Sequence, residues 1–217
     1  LFGVTNASAK WEKVYDLAAT YACHVTKSGN ILLSDYKYMD YSGGIYISED
    51  QGDTWTKTDV EDFCYSQFIE AEGYVFAGGE GCVVARSADE GKTWEVMNFG
   101  YAYADYLTED DIRYNPCYAM AYHKGKLYVA DFNGGGVVYS EDFGETWTLT
   151  DRESLMYEVS AEKAPALKDE KPTKVMENFY SMVSYNDSLY LFGVYLVFRL
   201  NEETGLWEVV RNDSNFM

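Results

Sequence analysis

Carboxylates are the most numerous charged side chains in this sequence that could do chemistry. Glu109, Asp110 and Asp111 form a run of three, and two carboxylic acids at a defined separation are what glycoside hydrolysis requires. They are the candidate catalytic residues, weighed against a solvated acidic face. Three further acidic octets repeat one another: Ser48-Glu49-Asp50-Gln51-Gly52-Asp53-Thr54-Trp55, Ser87-Ala88-Asp89-Glu90-Gly91-Lys92-Thr93-Trp94 and Ser140-Glu141-Asp142-Phe143-Gly144-Glu145-Thr146-Trp147. Other chemistries find less support. His24 and His123, the only histidines, stand in no nucleophile motif with Ser or Cys, so a catalytic triad is not expected. Cys23, Cys64, Cys82 and Cys117 show no CxxC or metal-like spacing, and neither a metal nor a cofactor is read from the chain. Gly91-Lys92-Thr93 imitates the end of a phosphate-binding loop, but Arg86 occupies the position of its first glycine.

The octets must sit on something that repeats. Each lies between two short stretches of strand-like alternation, as in Gly44 to Ser48 before Trp55 to Thr58. Two more strand-like segments precede each unit: Tyr21 to Val25 and Ile31 to Ser34, Cys64 to Phe68 and Tyr74 to Ala77, Cys117 to Ala121 and Leu127 to Ala130, Phe179 to Val183 and Leu189 to Phe192. A weaker echo of the octet ends at Trp207, and a degenerate one runs from Asn6 to Trp11, so the five tryptophans fall one to a repeat. Repeated four-stranded units point to radially arranged blades.

The three octets resemble the Asp-box, or bacterial neuraminidase repeat, of sialidases, sortilin-type receptors, some glycoside hydrolases and photosystem assembly factors. The resemblance implies an all-β fold, a β-propeller of four-stranded antiparallel blades with an Asp-box turn between the third and fourth strands. Four or five blades, or a segment of a larger ring, fit the length. The expected organisation is one domain over 1–217: a partial blade at 1–14, blades at 15–58, 59–98, 112–150 and 176–212, and loop insertions at 99–111 and 151–175, with a short helix near Glu153 to Ser160. Ser48, Asp50, Gly52, Thr54 and Trp55, with Ser87, Asp89, Gly91, Thr93 and Trp94 and with Ser140, Asp142, Gly144, Thr146 and Trp147, are then turn builders. Their Ser and Asp side chains bond nearby amides, and glycine permits a positive φ. The sialidase activity of some relatives is not expected: those enzymes grip a carboxylate with three arginines and carry an Arg-Ile-Pro motif, which Phe198-Arg199-Leu200-Asn201 echoes only loosely.

In such a blade the hairpins joining strands one to two and three to four share a face, and the remaining connections share the other. The long connections, Asp35 to Ser42, Asn98 to Pro116, Asp131 to Gly136 and Asp151 to Asn178, therefore crowd the face opposite the Asp-boxes. Function favours variable loops on a rigid scaffold. Asp35, Tyr36, Tyr38, Tyr41, Tyr101, Tyr103, Tyr106, Asp131, Phe132 and Asn133 are the candidate ligand-binding residues, because tyrosine supplies flat apolar area and a hydroxyl at low entropic cost. The expected function is non-enzymatic recognition of a glycan or a protein. The alternatives are a carbohydrate-active hydrolase and an assembly or virion-structural scaffold.

Composition narrows the partners. The net charge of −19 repels a phosphate backbone, so nucleic acid is not an expected partner. The longest apolar run, Leu189 to Phe198, is far shorter than the roughly 20 residues of a spanning helix, so membrane insertion is not expected. No signal peptide is read at Leu1, and an extracellular, cell-surface or virion setting follows from the resemblance alone. Oligomeric state is left open.

Overall fold

The computed structural model describes residues 13, 19–37, 42–60, 63–159 and 173–212. Four antiparallel four-stranded sheets follow one another along these residues, each in simple sequential order. The first comprises β1 (Thr20–Val25), β2 (Ile31–Lys37), β3 (Ser42–Ser48) and β4 (Thr56–Lys57). The second comprises β5 (Tyr65–Ala71), β6 (Tyr74–Gly79), β7 (Val83–Ser87) and β8 (Glu95–Asn98). The third comprises β9 (Ala119–His123), β10 (Lys126–Ala130), β11 (Val137–Ser140) and β12 (Thr148–Leu149). After a two-stranded ribbon of β13 (Met156–Val159) and β14 (Thr173–Met176) comes the fourth: β15 (Phe179–Tyr185), β16 (Ser188–Gly193), β17 (Leu196–Leu200) and β18 (Trp207–Asn212). The first strands of successive sheets lie side by side, β1 on β5, β5 on β9 and β9 on β15. That arrangement is a β-propeller, and the sheets are its blades.

Side-chain alternation explains why the blades stack. On β6, Val75 and Ala77 enter a core shared with Leu32 and Ile45 of the first blade, while Phe76 enters one shared with Val129 and Val138 of the third. On β10, Leu127 and Val129 face back toward the second blade, and Tyr128 and Ala130 face forward to Leu191 and Phe198 of the fourth. A middle strand is thus covered on both faces and reads as a continuous apolar run. Three such cores join the four blades. The first hairpins of blades two to four are two-residue turns with both central φ angles positive, as at Lys124 (46°) and Gly125 (83°), which is the turn that matches strand twist.

The structure departs from expectation in the long insertions. In place of a helix over Glu153 to Ser160 there is a single 3-10 turn, Glu153–Leu155, followed by β13. The reason is cross-strand pairing: Met156 to Val159 pairs residue for residue with Thr173 to Met176, and Tyr157 and Met176 pack on the core between the third and fourth blades. The insertion after Asn98 carries a 3-10 turn, Gly100–Tyr103, and one short helix, α1 (Glu109–Arg113). The partial blade expected at 1–14 lies, except for Lys13, outside the described residues.

Candidate functional site

The three Asp-boxes have nearly identical geometry. In the second, Ser87 Oγ accepts from the Gly91 amide at 2.8 Å and donates to Asp89 Oδ1 at 2.8 Å. Asp89 then accepts from the Thr93 amide and hydroxyl at 2.9 and 2.7 Å, and Trp94 Nε1 donates to the Gly91 carbonyl at 3.0 Å. The first box repeats all five bonds, and the third repeats the first four. For Asp50, bonds from Thr54 hold the carboxyl below its usual range. For Asp89 and Asp142 burial acts upward, but the bonds from Thr93 and Thr146 prevail and both are lowered. Every carboxylate oxygen named here already serves its own turn.

The boxes also clamp neighbouring blades. The box glycines Gly91 and Gly144 leave room for Leu32 and Met97 of the preceding blade, and both hold positive φ, 91° and 104°. Glu90 accepts from Thr26 Oγ1 and the Ser28 amide in the first hairpin of blade one. Arg86 bonds Glu145 and the Phe143 carbonyl of the third box. Glu202, in the degenerate fourth box, accepts from His123 Nε2 at 2.7 Å, and Ser184 lies 2.7 Å from the ring's other nitrogen. Ser184, His123 and Glu202 thus form a chain across blades three and four that the sequence did not suggest. Its order is unlike a hydrolytic triad, since the acid is on Nε2 and the serine on Nδ1.

On the opposite face the first strands converge. Thr20 pairs with Asp35, Tyr65 with Gly79 and Phe179 with Gly193, and in each case the ladder slips by one residue immediately afterwards. The residues at these bulges are Tyr21, Ser66 and Tyr180; Tyr118, just before β9, is their counterpart in blade three. A bulge re-aims a side chain and recurs next to binding sites. Here the four side chains, one from each blade, line an open cavity of about 380 Å³ together with Phe132. The Tyr21 and Tyr118 hydroxyls share a hydrogen bond of 3.0 Å. Tyr118 and Tyr180 are parallel within 2°, and Phe132 meets them edge-on at centroid distances of 5.0 and 5.1 Å. Tyr36 stacks on Tyr21 at 5.2 Å.

Glu80 occupies in blade two the place that Tyr36 and Phe132 hold in blades one and three, immediately after the residue paired across the bulge or its counterpart. Its Oε2 is buried without a hydrogen-bond partner. Burial raises its carboxyl pKa, against a lowering bond from Cys64. Tyr118 is raised by burial first, then by its bond to Tyr21, and its environment includes the charge of Glu80.

The residues expected from sequence to bind ligand scatter across several roles. Tyr36 and Phe132 join the central cluster. Asp131 is fully buried and accepts from Asn115 and the amides of Gly135 and Gly136, shaping the loop that presents Phe132. Asn133 and Phe132 in turn donate their amides to Asn115 Oδ1. Asp35, buried with one oxygen unpartnered, stands at the same place in blade one. Tyr103 is wholly buried, its hydroxyl donating to the Gly136 carbonyl. Tyr101 accepts from the Trp147 amide, and Tyr106 lies under the Arg152 guanidinium. Tyr38 and Tyr41 lie outside the described residues. Glu109, Asp110 and Asp111 open α1; Asp111 closes a capping box with Thr108, whose bonds hold its carboxyl low, and acids in a first helical turn complement the helix dipole.

The repeat alignment also shifts. Cys64 and Cys117 look equivalent in sequence, but Gln67 pairs with Gly78 where Ala119 pairs with Ala130, so Tyr65 stands where Cys117 does. The connection from second to third strand is the cause: five residues separate paired Gly78 and Val84 in blade two, but six separate Ala130 and Val137 in blade three. Among the described residues, no cluster of His, Cys, Asp or Glu is arranged to hold a metal.

Comparison with known proteins agrees with the geometry. The family model for the BNR/Asp-box repeat matches residues 138–149, the third box and its flanking strands. The protein is a β-propeller that carries the BNR/Asp-box repeat. No curated protein matches the sequence. Among solved structures, this Asp-box propeller is similar to the computationally designed Ika4 protein, at 8% identity over 92% of this chain and 98% of that one, with a TM-score of 0.52. It is also similar to the AfRom2 CNH domain, at 10% identity over 97% of this chain and 60% of that one, with a TM-score of 0.55. YCF48 bound to D1 peptide aligns with 77% of this chain and 45% of that one, at 15% identity and a TM-score of 0.46. At these identities the likeness concerns the fold alone. Among the described residues, no helix is long and apolar enough to cross a membrane.

Proposed function

We propose that this Asp-box propeller is a non-enzymatic binding module, and that its ligand, a glycan or a protein segment, enters at the aromatic cavity on the central axis. The observation that carries the reading is the convergence of Tyr21, Ser66, Tyr118 and Tyr180, one from each blade, on a single open cavity. Binding sites are concave, mostly apolar and set with a few polar groups. This one offers four aromatic rings with phenol hydroxyls on three of them. The half-exposed rings of Tyr21 and Tyr180 leave large apolar area in contact with solvent, the kind of surface a ligand covers.

Tyr180→Ala tests the proposal on glycan and peptide arrays, because Tyr180 is 52% exposed and its truncation leaves the cores intact. Ligands retained by the wild type should be lost or weakened at least tenfold in the variant, with an unchanged melting temperature. Equal retention by both would remove the cavity from the function.

A further inference from the structure

The cavity is built from aromatic rings and hydroxyls. Its lining consists of Tyr21, Ser66, Tyr118, Phe132 and Tyr180, with no cationic or amide side chain. Ser66 spends its proton on the Cys117 carbonyl, and one proton is shared between Tyr21 and Tyr118, so two of the four hydroxyl protons are committed, two stay available, and every hydroxyl keeps a lone pair. Phe132 stands at 78° and 80° to Tyr118 and Tyr180, so the walls meet as a corner in which a bound group touches more than one ring. Beside it Glu80 keeps a buried carboxyl oxygen with no partner, close enough for its charge to bear on Tyr118. The whole chain adds a net charge of −19.

Aromatic faces, hydroxyl lone pairs and a nearby carboxyl with one unpartnered oxygen favour a cation, and one with apolar bulk to fill the corner. Ring quadrupoles attract ammonium groups within about 6 Å of the centroid, and the long-range field of an acidic protein raises the local concentration of basic partners. We infer that the cavity takes the alkylammonium of a lysine side chain, free or methylated, presented by a basic protein segment. A zwitterionic choline headgroup carries the same ammonium, but its phosphate meets the repulsion of Glu80 and of the net charge. The inference rests on the reading that ligands enter at this cavity and names what enters.

The test uses a flexible Gly/Ser decapeptide with one central lysine in unmodified, trimethylated and acetylated forms, with choline, phosphocholine and a panel of neutral oligosaccharides alongside. Binding to the full chain is followed by NMR titration. The charged peptides should bind at least fivefold more tightly than the acetylated one. The preference should fall as salt is added, be lost in Tyr180→Ala and survive in Tyr180→Phe, which keeps the ring. Glu80→Gln should weaken the charged peptides and leave the acetylated one unchanged. Equal binding of the acetylated peptide overturns the inference, as does choline or phosphocholine binding without peptide binding. An oligosaccharide that binds in a Tyr180-dependent way, with no response to lysine, overturns the cation and leaves the cavity as the site. No Tyr180-dependent binding by any probe removes both.

Discussion

Asp89 illustrates how much a single box side chain holds. One carboxylate accepts from the Thr93 amide, the Thr93 hydroxyl and Ser87 Oγ, all within seven residues. Replacing it with alanine strands a backbone amide and frees two hydroxyls. The expected cost is about 0.5–1.5 kcal/mol, because these groups are re-solvated at the surface, read as a lower urea midpoint for Asp89→Ala with an unchanged slope. A catalytic or metal-binding aspartate would show little loss of stability, so the measurement also tests the turn-building role. These bonds are local, which is why the sequence pattern made the box legible. Tyr103 shows the opposite case. Nothing in its neighbourhood separates it from Tyr101 or Tyr106, and only the packing on Phe99 and the bond to Gly136 put it inside.

At the level of elements, the bonds that matter run between blades. Glu202 joins the fourth box to His123 and Lys124 in the first hairpin of blade three. Burial works to raise its carboxyl pKa, but the bonds from His123 and Lys124 outweigh that and the net shift is downward. A lowered carboxylate stabilises the fold above its unfolded pKa, and the contribution disappears as pH falls through the folded value. A double-mutant cycle of His123→Ala and Glu202→Ala should therefore give a coupling energy of about 1 kcal/mol at neutral pH. That coupling should fade as pH falls beneath the ordinary glutamate value of about 4.3 and through the lower folded one; a pH-independent coupling would detach the interaction from the charge of Glu202. The sequence announced strands and hairpins by their alternation and turn residues. It did not announce β13 and β14, because that ribbon forms between segments on either side of residues 160–172 and each is only four residues long.

For the molecule as a whole, charge is the dominant global term. A net −19 on 217 residues is self-repulsive in the folded state, and salt screens it over roughly 8 Å at physiological ionic strength. Raising salt from about 0.01 to 0.15 M should raise the melting temperature, because repulsion among 36 acidic residues outweighs the attraction offered by 17 basic ones. A fall would mean that pairs such as Arg86 with Glu95 and Glu145 dominate instead. The same field would draw in a basic ligand.

What the sequence alone determined is whatever the chain settles over a few residues: the box turns, their glycines, the alternation of the strands and the four-stranded unit. Hydrogen bonds spanning two to four residues and a side-chain period of two leave direct marks in the pattern. Tertiary structure decided the candidate site. Tyr21, Ser66, Tyr118 and Tyr180 lie in four separate repeats, share no residue type throughout and meet only because consecutive blades bring their first strands together. Each is turned inward at a bulge or its counterpart, where the extra residue breaks the alternation from which its direction would otherwise be read.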